Sequence, residues 1–481
     1  MDALLNSSPL SPWKRNEIFS VWLHNAWKGL CFVFFLSGCE KNSPITFSEH
    51  IAPVIHQNCT PCHRPDGPGP FSLITYKDVL KKAKTIKQVV STRYMPPWPA
   101  DPYYTHFADE RVLSDENISL IVQWIENGTP LGDSTKIPPP PAFPEKSLLG
   151  KPDLVLKMKK PLFVKGDNKD KFLLMKFPWD IERDTFIRAI EFVPGKKKLV
   201  HHMNGFMINY EDGKKKNAFE GEWWVDTYEY EYPAAYEKMK LAHDDGTYPA
   251  LTPSVSNYLP GVLPFIYPEG IGGFSIKKKG VILLKDIHYG PRAKDDYDDS
   301  YFNIFFDSVP PKRRTKEFQL GTLGHVREIV PPLVISPDTV MTFKTKWTVP
   351  ADISILTINP HMHLLGKNYL AYALTPAGDT IRLIKIPQWK FNWQYFYTFK
   401  KPVKIPLGST IFVFGTYDNT ANNPHNPFSP PRTVGEREGS MRTTDEMFQF
   451  IITYLPYQDG DENIDLEGEM KKLKNQHNKT P

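Results

Sequence analysis

The sequence predicts a multidomain fold: a small all-α domain followed by all-β antiparallel sandwich domains. Three observations carry that prediction. At 481 residues the chain is too long for one ordinary domain. Its 46 prolines favour turns and edge strands over long helices. Apolar residues recur at helical spacing before residue 133, whereas short β-rich runs punctuated by Pro and Gly fill the chain after residue 150. A hydrophobic content of 40%, with 13% aromatic residues, supplies packed cores. The net charge is only +5, from 59 basic against 54 acidic residues. The lysine triplets at residues 196–198, 214–216 and 277–279 are scattered and read as solvated turns, so no nucleic-acid partner is expected.

The first element is the apolar run GLCFVFFLSG, residues 29–38, which follows Lys28 and is too short to span a bilayer. Residues 1–38 read as a signal peptide. The sequence LSGC resembles a bacterial lipobox, which implies lipidation of Cys39 and a periplasmic or outer-membrane-associated protein held to the membrane through its lipid. A plain secretory signal or an uncleaved short anchor is the alternative; each implies export.

Residues 44–133 form the second element. CTPCH carries Cys59, Cys62 and His63, the spacing of a c-type haem attachment site. Two thiols two residues apart reach both vinyl groups, and His63 comes up beneath the iron. Beside an export signal, and with no partner cysteines, haem c fits better than zinc or a redox dithiol. The second axial ligand is expected to be Met95 in RYMPPWP, with His50, His56 and His106 as fallbacks. TFSEHIAPVI offers an N-cap and an apolar face. SDENISLIVQWIENG has Ser114 as cap, Ile118, Ile121, Val122 and Ile125 at helical spacing, and Gly128 at the stop. The segment resembles a class I cytochrome c domain. A proline-rich spacer, residues 134–150, follows it.

Beyond residue 150 stand FIRAIEFV, GVILLKDIHYG, DISILTIN, TIFVFGTYD and MFQFIITY, the runs of antiparallel sandwiches. Heptads, a phosphate-binding glycine loop and a clear internal repeat are all missing. Nothing after residue 62 is a cysteine, so a metal held there must use His, Met or carboxylate. Histidines occur as His201 with His202, as His288 in DIHYG, and as His361 with His363 in NPHMHLLGK. An HxH on a strand puts both rings on one face. Met447 in DEMFQFIITY lies off the apolar stripe of Phe448, Phe450, Ile452 and Tyr454, which sets it on the mixed face beside Gln449; Met441 is a nearby competitor. Imidazoles with a thioether suit copper better than zinc.

VHHM, IHYG, HMHLLGK and DEMFQFIITY, in that order over residues 151–460, resemble the copper type II, ascorbate-dependent monooxygenases, the family of peptidylglycine and dopamine β-monooxygenases. The resemblance implies two jelly-roll-like β-domains, residues 151–335 and 336–460, each contributing one of two copper ions across a water-filled cleft. It implies an electron-storing copper at His201, His202 and His288, and a copper where dioxygen and substrate meet at His361, His363 and Met447, the catalytic set. Both adjacent histidines then serve one metal, so their strand must bend or bulge. The chain also departs from the family. Its bracing disulfides are impossible here. Asp286 stands where members often have glutamine, and is either a carboxylate that orients the ring of His288 or an exposed strand acid. Asn359, Gln449 and Ile451 stand where peptide-binding members anchor a substrate carboxylate, so a peptidylglycine substrate is not expected.

These readings lead to a copper-dependent monooxygenase that hydroxylates a C–H bond of a small organic substrate with dioxygen. Electrons would come through the fused haem from a periplasmic one-electron donor or an ascorbate-like reductant. The rival readings are an exported haem and copper electron-transfer or binding lipoprotein without hydroxylase activity, and a zinc hydrolase, which leaves the haem motif and Met447 unused. His243, His325 and His425 have no assigned role, and the charged tail, residues 461–481, reads as flexible.

Overall fold

The front of the chain forms short helices because its apolar residues recur every three or four positions between polar caps. A computed structural model describes residues 44–143, 147–307, 309–436 and 442–468, apart from the side chains of Pro253, Ser254 and Asp286. Residues 1–38 with Cys39, Met441 and most of the charged tail lie outside the described residues. A π-helical turn, Phe47–Ile51, runs into α1, Ala52–Asn58. Thr46 does not cap a backbone amide there; its hydroxyl and its own N–H meet His50 Nδ1 instead. The next helix, α2, spans Tyr76–Ser91 behind a capping box of Thr75 and Asp78, and buries Val79, Ala83, Ile86 and Val90 on one side. The third, α3, spans Asp115–Glu126, with the Ser114 hydroxyl accepting from the Asn117 N–H at 3.2 Å. Gly128 leaves it at φ +83°, as a left-handed stop requires. Ile121 and Trp124 are its fully buried residues. Trp124 stands outside the stripe read from the sequence; its indole N–H is satisfied by the Pro130 carbonyl at 3.0 Å, which removes the cost of burying it.

The rest of the chain is mostly β, in antiparallel sheets. One four-stranded sheet has the order Leu154–Lys157, Tyr301–Phe306, Thr185–Val193 and Phe274–Ile276. It faces a five-stranded sheet ordered Trp224–Asp226, Lys171–Asp180, Lys279–Tyr289, Val200–Tyr210 and Leu251–Tyr258. Between them Phe177, Ile282, Phe302 and Ile304 are all but inaccessible, and Phe177 meets Phe302 edge-on at 4.9 Å. Each such burial contributes about 1.5–3 kcal/mol. The outer face of the five-stranded sheet is covered by residues 211–249, which tie themselves down by taking the buried Lys176 ammonium on the carbonyls of Ala218, Glu220 and Met239.

A second pair of four-stranded sheets follows. Lys316–Gly321, Gln449–Pro456, Ile353–His361 and Tyr397–Ile405 form one, and Val340–Thr348, Thr410–Asp418, Gly366–Leu374 and Thr380–Ile386 the other. Phe343, Ile355, Tyr369, Val413, Phe448 and Phe450 fill the space between. Several connections join the helical segment to this sandwich: the Ala108 N–H donates to the Thr398 carbonyl at 2.7 Å, and Phe107 forms a bridge with Phe399. The proline-rich spacer ends on the first sandwich, where Ser147 and the Leu148 N–H donate to the Glu191 carboxylate. The start of the charged tail is held rather than loose. Asp461 is buried and takes hydrogen bonds from Arg313 and from the Ser354 hydroxyl, and Leu466 packs with Leu356 and Leu455. No helix among the described residues is long and apolar enough to cross a membrane.

Candidate metal centres

His201 and His202 stand in the Val200–Tyr210 strand, and His288 in the neighbouring Lys279–Tyr289 strand directly opposite His202. The register between these strands shifts between Val200 and His202 and again before Gly205. That irregularity breaks the alternation which would send adjacent side chains to opposite faces. The three rings consequently form a triangle with centroid separations of 4.9, 4.9 and 5.5 Å. One nitrogen from each lies within 4.8 Å of the others, and the Nδ1 atoms of His201 and His202 face each other at 3.2 Å.

The second nitrogen of His288 explains its aim. Nε2 donates to the Asp170 carboxylate at 2.6 Å, leaving Nδ1 buried with no hydrogen-bond partner among the described residues. Phe172 lies flat on the same ring at 4.2 Å and 8°. A buried imidazole nitrogen without a partner costs about 1–3 kcal/mol, and a metal ion would relieve it. Burial, then the neighbouring rings, lowers two of the pKa values, His201 to about 4 and His202 well below the usual range; burial alone lowers His288, with Asp170 opposing it. Neutral rings with free lone pairs are the form that binds metal. A three-imidazole site without thiolate fits copper, and equally zinc by donor type alone.

His361 closes the Ile353–His361 strand opposite Gln449, and His363 follows in a turn just beyond it. Met362 between them is fully buried in the second core, so the flanking histidines turn to the other side, with rings 5.1 Å apart. His363 Nδ1 donates to the Asp445 carbonyl at 2.9 Å, which leaves Nε2 as its ligand atom. His361 is hydrogen-bonded by the Gln394 side chain; burial and then His363 hold it at about 3. Burial also lowers His363, partly offset by the Asp445 carbonyl.

Met447 lies just ahead of the Gln449–Pro456 strand, on a stretch whose backbone groups are taken by buried side chains. The Tyr417 and Tyr369 hydroxyls donate to the carbonyls of Met447 and Gln449 at 2.7 and 2.6 Å. Adjacent Glu446, 1% exposed, accepts the N–H groups of His363 and Leu365 at 3.0 and 2.7 Å. Burial pushes the Glu446 carboxyl up to about 8 against the pull of those amides. The result is that the methionine segment and the HMH turn are bound to each other through one carboxylate. Asn359 and Gln449, at the positions of the family's substrate anchor, are both committed to backbone carbonyls, those of Tyr395 and Thr322; Ile451 is buried.

The two histidine groups face each other across Phe391, whose ring centroid is 6.3 Å from that of His202 and 5.9 Å from that of His363. The two imidazoles are therefore no farther apart than those distances added together.

In the helical segment Cys59 and Cys62 are separate thiols, as two thioether bonds would require. Burial pushes Cys59 up to about 12 and raises Cys62 as well. His63 Nδ1 donates to the Phe71 carbonyl at 3.2 Å, leaving Nε2 free for an axial bond. A Cβ at Gly69 would lie 2.8 Å from that Nδ1, and one at Gly261, at φ +82°, would lie 2.6 Å from Cys62 Sγ, so the motif has glycine on two sides. Met95 is half-buried on the loop after α2, its N–H on the Val89 carbonyl. Among the fallbacks, His106 is 65% exposed and paired with Glu110, and His50 is engaged by Thr46, whereas His56 has a buried, unpartnered Nδ1. His243 and His325 are occupied locally, by Thr247 and by the Gln319 N–H.

The side chain of Asp286 lies outside the described residues, and the carboxylate that meets His288 is Asp170. Asp170, Glu446, Gln394 and Phe391 escaped the sequence reading. Glu446 alone left a trace, an acid set directly against an apolar strand; the others come from loops far along the chain from the rings they touch.

No family model matches the chain, and no curated protein matches it. Among solved structures, the VP2 subviral particle of infectious bursal disease virus aligns at TM-score 0.13 with 12% identity, over 69% of this chain and 89% of that one. That likeness carries no argument about fold or function.

Proposed function

We propose that this chain is an exported copper-dependent monooxygenase that places one atom of dioxygen into a C–H bond of a small organic substrate, its electrons arriving through a c-type haem on Cys59 and Cys62. The observation that supports it most is the convergence of His201, His202 and His288 on one point, with a buried Nδ1 that no described residue satisfies. In this reading residues 44–133 are a class I cytochrome c domain with His63 and Met95 as axial ligands. Residues 151–335 and 336–460 are jelly-roll-like domains, each holding one copper: one on the three histidines, the other on His361, His363 and Met447. Copper supplies dioxygen activation and haem supplies one-electron transfer when bound.

The residues of the chain do the remaining work. Asp170 and Phe172 orient His288 from two sides. Glu446 ties the backbone of His363 to the segment that carries Met447. Phe391 places one apolar ring between the two groups, a surface suited to the hydrocarbon part of a small organic substrate. A periplasmic one-electron donor would serve the helical domain, and a lipid on Cys39 would hold the protein at a membrane.

Metal analysis of the purified exported chain tests this reading directly. One iron and two coppers per chain are expected, with one copper lost in His201→Ala/His202→Ala and the other in His361→Ala/His363→Ala. Iron without copper would end the proposal. Copper with no transfer of labelled oxygen from dioxygen into any organic product would leave an electron carrier in its place.

A further inference from the structure

The sequence FNWQY, residues 391–395, lies in the connection between the Thr380–Ile386 and Tyr397–Ile405 strands and contacts both histidine groups and the loop that follows Met95. Phe391 stands between His202 and His363. Gln394 hydrogen-bonds His361, and its amide also donates to the Phe391 carbonyl at 2.8 Å. The Tyr395 carbonyl accepts from Asn359, two residues before His361, at 2.9 Å. In the other direction the Tyr395 hydroxyl donates to the Pro97 carbonyl at 2.8 Å, two residues after Met95. The Tyr395 ring is 3% exposed and lies 5.3 Å from Trp98 and 6.3 Å from Trp393. A connection carrying this many tertiary bonds has little freedom of its own.

We propose that Tyr395 is a positioning residue that couples the loop carrying Met95 to the metal site at His361 and His363, so that neither is set independently of the other. The inference rests on the haem and copper reading above. Its physical content is a continuous chain of contacts: Met95 loop, Pro97 carbonyl, Tyr395, then Asn359 and Gln394 to His361. Coupling through such a chain is reciprocal: whatever orders one end favours order at the other. Among the described residues the triad at His201, His202 and His288 meets this segment through Phe391 and not through Tyr395, so it should be indifferent to Tyr395.

The test uses the full exported chain loaded with haem and copper. Tyr395→Phe keeps the ring among its aromatic neighbours and deletes only the bond to Pro97. Trp98→Leu disturbs the same contact from the helical side. Two readouts are followed. One is the charge-transfer band of a methionine-ligated ferric haem; the other is copper retained at each site against a competing chelator, resolved by paramagnetic resonance. Both variants should weaken or shift the methionine band. Both should lower copper retention at the His361 and His363 site by about tenfold, the scale on which contacts behind metal ligands act, with the triad unchanged. If both variants keep the wild-type band and wild-type retention, Tyr395 is only packing and the coupling is wrong, while the copper reading stands. A His361→Ala variant whose copper content equals that of the wild type would sink the copper reading and the coupling together.

Discussion

The Asp170 carboxylate holds Nε2 of His288 at 2.6 Å, and by taking that nitrogen it decides which one is left for a metal. Carboxylate behind imidazole fixes the tautomer and makes the free nitrogen a better donor. Asp170→Asn keeps the size but can present its amide N–H to the ring, which permits the wrong tautomer. Copper affinity of the triad should fall about 10–100-fold, with the His361 and His363 site untouched. Site-resolved copper titration checks this. Equal loss at both sites would instead mean a general disturbance of the fold.

The lowered histidine pKa values set a pH dependence. His201 titrates near 4 and His361 near 3, below the ordinary value of 6.5. At pH 7 the five imidazoles, all held below their ordinary value by burial, are neutral, so copper binding there should release almost no protons. Calorimetric titration in buffers of different ionisation enthalpy measures that release directly. The sign for stability follows from linkage. As pH falls from 6.5 to about 3 the unfolded chain takes up protons on His201 and His361 before the folded chain does, so these two rings cost the metal-free protein stability through that window and no more below it, while Glu446, raised to about 8, works in the opposite direction between about 8 and its ordinary 4.5. A metal-free His201→Ala/His361→Ala variant whose unfolding midpoint keeps the wild-type pH dependence across that range would contradict the burial argument.

Much of this architecture is legible in the residues themselves, and the limits have physical causes. Ser114 and Gly128 bracket α3 because capping is local, and the Phe448, Phe450 and Ile452 stripe is buried because strand alternation is local too. The kink at His201 and His202 was readable only through the demand that two adjacent rings share one site; the shift of register supplies it. Trp124 was missed because its indole, polar at one edge, finds the Pro130 carbonyl only in three dimensions. Asp170 and Gln394 could not have been found, since no periodicity links a loop residue to a ring on another strand.

Met447 can be examined apart from packing. Met447→Leu preserves apolar volume and should change stability by less than about 1.5 kcal/mol. It removes the soft donor, so cuprous retention at the His361 and His363 site should fall well before cupric retention does. Chelator competition under reducing and oxidising conditions gives the two values, and X-ray absorption should lose its sulfur scatterer. A cuprous affinity equal to wild type would show that Met447 is not a ligand.

Glu446 offers the sharpest separation of structure from metal binding. Its two oxygens accept the N–H groups of Leu365 and His363 from inside a site with 1% exposure, and the next residue is Met447. Glutamine has one carbonyl oxygen where glutamate has two, so in Glu446→Gln an amide N–H must point at one of those backbone N–H groups. The unsatisfied donor costs about 1–3 kcal/mol. Unfolding midpoints should fall accordingly, and copper retention at the His361 and His363 site should fall with them, because the HMH turn is no longer fastened to the methionine segment. Glu446→Asp, which keeps both oxygens on a shorter stem, should recover part of the stability and less of the copper, since the carboxylate reaches the amides only if the two segments shift. Lost stability with copper retention unchanged in Glu446→Gln would mean that the HMH turn holds its geometry without the carboxylate.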